Sequence, residues 1–171
     1  MLPTPRKFPF CHPDWIFEPK WDGYRALCLV AHDSVRFMSR NKKELTKRFS
    51  ELSRIHEAIK AHSAILDGEI VGLDENDLPC FENLQNRKKC FIVYFAFDCL
   101  MLNANDLRNE RLGFRKSMLK RILKKSPQIR YTDHVVAEGE QLFIAVEKMG
   151  LEGIIAKKAD SPMLAGEPKI G

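Results

Sequence analysis

Seven short segments rich in β-branched and aromatic residues, at residues 15–17, 24–31, 35–39, 65–72, 91–101, 129–136 and 153–157, read as strands and do not alternate strictly with helical stretches. A doubly wound parallel sheet needs a helix after nearly every strand, so this order predicts an α+β fold instead. Helical periodicity is confined to residues 44–61, where Leu45, Phe49, Leu52, Ile55 and Ile59 share a face, and to residues 112–125 and 140–149. The AHDS stretch at residues 31–34 is short enough to join its two strands as an antiparallel hairpin.

A chain of 171 residues fits one domain with a real core. The longest apolar run, FIVYFAF at residues 91–97, is too short to cross a bilayer, and the opening MLPTPRKF lacks the apolar stretch of a signal peptide; a cytoplasmic setting and no membrane are expected. Five cysteines, Cys11, Cys28, Cys80, Cys90 and Cys99, show no C-x-x-C pairing and read as reduced packing residues. The net charge of +5 permits a polyanionic partner without requiring one. The basic helix RKSMLKRILKK at residues 115–125, with Met118, Leu119, Ile122 and Leu123 on its apolar face, reads either as a phosphate-backbone contact or as a solvated outer face, the second being the commoner arrangement.

The chemistry concentrates in FEPKWDGYR at residues 17–25. A lysine attacks only as the free amine, so Lys20 as a nucleophile needs its proton loosened by desolvation or nearby positive charge, which Arg25 and a bound divalent cation would supply. Gly23 lets backbone turn sharply or approach a ligand closely. Taken alone, the pattern also suits a surface turn. SRN at residues 39–41 ends a strand with the Arg40 guanidinium, and LDGEIV at residues 66–71 sets Asp67 and Glu69 on one strand face, costly to bury without a cation or donor unless that face is a hydrated edge. Phe97, in AFDCL, reads as core in isolation. In EGIIAKK, Glu152 and Lys157 face opposite ways unless the strand begins at Gly153.

With these segments in hand, the chain resembles the adenylation domain of ATP-dependent DNA ligases, closest to the bacterial non-homologous end-joining type, over about residues 15–165. FEPKWDGYRA, SRN, LDGEIV, VYFAFDCL and GLEGIIAKKADSP occur in that family's order and with similar spacing. The resemblance implies a nucleotidyltransferase (ATP-grasp-like) fold of antiparallel sheets flanked by helices, with Lys20 at the floor of an ATP cleft. It implies that Lys20 attacks the α-phosphate of ATP to give lysyl-AMP, the first step of sealing nicked or broken DNA in repair. It further implies that Glu18 meets the adenine edge, that Arg25 and Arg40 lie near the ribose and its phosphates, and that Phe97 stacks on adenine. Glu69 would touch ribose or metal, Glu152 would hold the divalent metal (Mg²⁺ or Mn²⁺), and Lys157 would contact phosphate. Such division of labour suits nucleotidyl transfer, which needs positioning and charge neutralisation above all. The family follows its fourth motif with a strand bearing two lysines and then an OB-fold. Here only Lys169 falls near that place, so residues 1–171 are expected to be one adenylation domain incomplete at its C-terminus, without the OB-fold. Its cleft would be open to solvent and its transfer weak in isolation, with other end-joining proteins supplying the missing parts. A non-catalytic nucleotide- or DNA-binding remnant, and an RNA ligase or capping-type nucleotidyltransferase, are the alternatives.

Overall fold

The computed structural model describes residues 8–163. Lys169, and the stretch from Leu164 onward, lie outside the described residues. Two sheets carry the architecture. The larger has the order β3-β2-β4-β5-β6, with β7 added on β5, from β2 (Tyr24–Ala31), β3 (Ser34–Ser39), β4 (Ser63–Leu73), β5 (Phe91–Leu102), β6 (Asn105–Asp106) and β7 (Ile129–Tyr131). The smaller places β1 (His12–Pro19) between β8 (Val135–Ala137) and β9 (Ile154–Lys158). All pairings are antiparallel except β5 with β7. Among the described residues, three α-helices accompany them: α1 (Phe81–Gln85), α2 (Leu112–Ile122) and α3 (Gly139–Lys148).

The predicted hairpin is present, with Ala31 opposite Ser34 and His32 at a left-handed φ of 47° in the turn. Long runs of β-branched and aromatic residues make β4 and β5 the spine of the larger sheet. Their register shifts between Asp67 and Gly68, and a Cβ on Gly68 would lie 2.6 Å from the Tyr94 ring, so only glycine lets that ring cross the strand. The Tyr94 hydroxyl reaches the carbonyls of Ala26 and Leu66 and spans β2 and β4 from below.

Two sequence expectations are corrected. Residues 44–61 do not form an α-helix; they run as turns with two 3-10 segments, Ser50–Leu52 and Ile55–Ala58. The five apolar residues are nonetheless all buried, because Phe49, Leu52, Ile55 and Ala58 recur every three residues, the period of a 3-10 helix. The segment's start is also fastened to β3, with Leu45 donating to the Phe37 carbonyl and Thr46 Oγ1 accepting from the Phe37 amide. Residues 129–136 are two strands in different sheets, since the chain crosses over at Thr132, Asp133 and His134.

The main core joins β2 to β5 with the 3-10 segments and α2. A second, smaller cluster on the opposite face of β4 and β5, Val71, Leu73, Val93 and Phe95, is covered by Trp21. Among the described residues, no helix is long and apolar enough to cross a membrane.

Candidate active site

Between the sheets lies a cleft of about 820 Å³, within the range of small-molecule sites. Glu18, Lys20, Arg25, Arg40, Glu69, Phe97, Glu152 and Lys157 all line it, although they come from five separate stretches of chain. Lys20 follows the end of β1 and is fixed twice to the approach to β9. Its amide donates to the Gly153 carbonyl at 2.8 Å, and its Nζ donates to Glu152 Oε1. The Lys20 side chain is 37% exposed, so the amine is reachable from the cleft. The neighbouring Trp21 stacks on Phe95 with ring centroids 3.8 Å apart and donates its indole N–H to Thr132 Oγ1 at 3.2 Å. A Cβ on Gly23 would collide with the Ile70 carbonyl oxygen, which is why the turn after Lys20 can press against β4.

Arg25 forms a two-toothed pair with the buried Asp67, at 3.2 and 2.7 Å, and its guanidinium carbon lies 5.7 Å from the centre of the Phe97 ring. Burial raises the Asp67 carboxyl above its ordinary range despite the opposing pull of Arg25. Burial likewise pushes Glu69 up to about 8, against Arg25 and with Asp67 and Asp22 adding to the rise. A carboxylate this reluctant to ionise is a place where a cation would be welcome. Arg40 stands at the rim and its field partly offsets the rise at Glu69.

β9 begins at Ile154, so Glu152 precedes it, and Lys157 turns into the cleft although the two are five residues apart. Lys157 Nζ donates to Glu18 Oε2 at 2.6 Å and sits 4.3 Å above the Phe97 ring centre. Glu18 is 2% exposed. Its other oxygen accepts from Lys116 Nζ at 2.5 Å, and although burial pushes the carboxyl up, the two ammonium groups outweigh it and hold Glu18 below the usual range.

Lys116 and Arg115 depart from the sequence reading of the basic helix, for both are buried rather than solvated or free to meet phosphate, while Lys120, Arg121, Lys124 and Lys125 are exposed as a solvated face requires. Arg115 clamps Asp98 at 2.9 and 2.8 Å and donates as well to the carbonyls of Glu110 and Ser161. A usable signal existed: Leu112, Arg115, Leu119 and Ile122 share one face at helical spacing, with Lys116 beside them, so the two cations ride with the apolar stripe.

The cleft has the parts for a nucleoside triphosphate: a partly exposed aromatic face, several guanidinium and ammonium groups, and an accessible amine. For a divalent cation, no cluster of three acidic, His or Cys side chains exists among the described residues. A cation of the Mg²⁺ type is commonly held by one or two carboxylates together with substrate phosphates, and Glu69 and Glu152 are among the carboxylates that line the cleft.

The family model for the ATP dependent DNA ligase domain matches residues 7–169. The multifunctional non-homologous end joining DNA repair protein LigD of Mycobacterium tuberculosis is 36% identical over 148 residues, covering 86% of this chain and 19% of that protein. DNA ligase C of the same organism is 30% identical over 164 residues, covering 85% of this chain and 46% of that protein. A solved structure described as mycobacterial DNA ligase D complexed with ATP and MES superimposes with a TM-score of 0.80 at 31% identity, over 92% of this chain and 52% of that one. The chain thus spans about a fifth of the LigD proteins and about half of the solved ligase D chain. With a family model matched over nearly its whole length and a cleft lined by each of the family-like segments, the chain belongs to the ATP dependent DNA ligase domain family.

Proposed function

We propose that the chain is one adenylation unit, in which Lys20 becomes covalently adenylylated from ATP as the first step of sealing nicks or breaks in DNA. The observation that carries this reading is the convergence of eight side chains from dispersed segments on one cleft that exposes the Lys20 amine. As the free amine, Lys20 Nζ attacks the α-phosphorus; an N–P bond forms, the bond to the bridging oxygen breaks, and pyrophosphate leaves. Glu152, already accepting from that nitrogen, is the nearest base for the released proton. Phe97 offers its ring to the base, and Glu18 its carboxylate to the amine edge. Arg25 and Arg40 lie toward the ribose and phosphates, and Lys157 toward phosphate. Glu69 and Glu152 would hold a divalent cation, Mg²⁺ or Mn²⁺, which would neutralise phosphate charge. DNA is the polyanionic substrate of the later steps, other end-joining proteins are its expected partners, and reduced cysteines such as Cys28 and Cys99 in the core suit a cytoplasmic setting.

The test is incubation with α-labelled ATP and a divalent cation, followed by denaturing electrophoresis. Wild type should retain label and Lys20→Ala should not; equal labelling of both removes Lys20 from the mechanism. GTP in place of ATP, and RNA ends in place of nicked DNA, separate this reading from RNA ligase or capping chemistry.

A further inference from the structure

Lys116 is 1% exposed and does not itself line the cleft, yet it governs two groups that do. Its Nζ donates to Glu18 Oε1 at 2.5 Å, to the Phe97 carbonyl at 3.1 Å and to the Thr132 carbonyl at 3.3 Å. An ammonium has three N–H donors, so this set of acceptors is matched by the charged form and consumes it entirely. One side chain on α2 therefore joins β1 through Glu18, β5 through the Phe97 backbone, and the crossover at Thr132 that links the two sheets. Through Glu18 the chain of contacts continues to Lys157, whose ammonium lies on the Phe97 ring.

We infer that Lys116 is a positioning residue that sets the base selectivity of the cleft, by pairing with Glu18 and gripping the Phe97 carbonyl so that an amine-bearing purine edge is preferred over an oxygen-bearing one. The inference rests on the reading of the cleft as an ATP site. A carboxylate flanked by two ammonium groups stays an acceptor: it receives a hydrogen bond from the exocyclic amine of adenine and repels the exocyclic oxygen of guanine. A neutral carboxyl can donate to that oxygen and loses the distinction. Removing Lys116 leaves Glu18 buried beside one cation instead of two and frees the Phe97 backbone, so discrimination and ring placement should relax together. Arginine carries a permanent positive charge and N–H donors, so Lys116→Arg is the substitution that can keep Glu18 paired.

The test is calorimetric titration of the full chain with ATP and with GTP for wild type, Lys116→Met and Lys116→Arg, with Lys20 labelling followed in parallel and thermal melts confirming that each variant is folded. Lys116→Met should weaken ATP binding by about tenfold and weaken GTP binding much less, a differential loss of the size a single mispaired polar edge produces. Lys116→Arg should keep most of the wild-type preference. If Lys116→Met fails to fold, Lys116→Gln, which can still donate to the carbonyls but carries no charge beside Glu18, takes its place and should show the same narrowed preference. An unchanged ratio of ATP to GTP affinity, or equal loss for both nucleotides, overturns the inference and leaves Lys116 a merely structural residue, as does a wild type that binds neither nucleotide. A wild type that binds ATP selectively but takes no label sinks the transfer reading alone, and the affinity ratios still decide the role of Lys116.

Discussion

Glu18 carries one ammonium on each carboxylate oxygen while almost wholly removed from water. Removing one member of a buried ion network costs about 3 kcal/mol or more, because the other charges remain without a partner. Glu18→Gln should therefore unfold at lower urea concentration than wild type at pH 7. The folded carboxyl lies below its ordinary value of 4.5, so its stabilisation is complete above that value and disappears as pH falls through the lower folded value. The gap between wild type and Glu18→Gln should accordingly narrow in urea titrations below pH 4.5; a gap that widens there contradicts the assignment. The cysteines give a second check at this scale. Burial pushes the Cys99 thiol up to about 12 and Cys28 higher still, whereas Cys11 is exposed. A disulfide reagent at pH 8 should modify Cys11 quickly and reach Cys28 and Cys99 only after denaturation, as read by mass spectrometry of timed samples.

At the scale of elements, α2 is held by its buried apolar stripe and by the two cations embedded in it. Arg115→Leu should destabilise the chain by about 3 to 5 kcal/mol by stranding Asp98, and Arg115→Leu/Asp98→Asn should recover part of that loss, as measured by denaturant unfolding. The two behaviours of this helix also show what a sequence conveys. The strands of the hairpin were legible from their composition and the short turn between them, and β4 and β5 from their runs of β-branched and aromatic residues. Residues 44–61 were legible as buried but not as 3-10, since spacings of three and four residues overlap over so short a run, and the contacts to Phe37 that fasten the segment depend on how it packs on the preceding strand. Likewise 129–136 read as one strand because nothing local announces that Thr132 will be taken by Trp21 and Lys116. At the site, the eight cleft residues were legible through the ordered motifs, whereas for Lys116 only its place beside the apolar stripe of α2 was legible, not that it would meet Glu18 and the Phe97 carbonyl from distant strands. The tight approach of Gly23 to Ile70 gives another element-level test. Gly23→Ala must push β2 from β4 or move the Lys20 turn, so it should cost about 1 to 3 kcal/mol and lower the labelling of Lys20 more than a comparable loss of stability elsewhere.

Across the whole molecule, the two sheets meet through polar side chains around the cleft and through Trp21, rather than through a shared apolar seam at that place. A ligand that touches both sheets should therefore stiffen the junction. At a hundredfold excess over its dissociation constant, ATP should add about 2.7 kcal/mol to stability, and Phe97→Ala should lose most of that gain at equal nucleotide concentration. Hydrogen exchange should slow at β9 and leave β3, on the far edge of the larger sheet, little changed; uniform slowing would argue against a junction-specific effect. Lys20 bears on this most directly. Its amide and its amine are both moored next to Gly153 beside the smaller sheet, while the next residue, Trp21, stacks on Phe95 of the larger one, so the Lys20 nitrogen stands where the two sheets join. On the proposed adenylation reading, the gap between the sheets would then set the reach of that nitrogen to a bound nucleotide, and a wedge that held the sheets apart would silence the amine without altering a single bond around it.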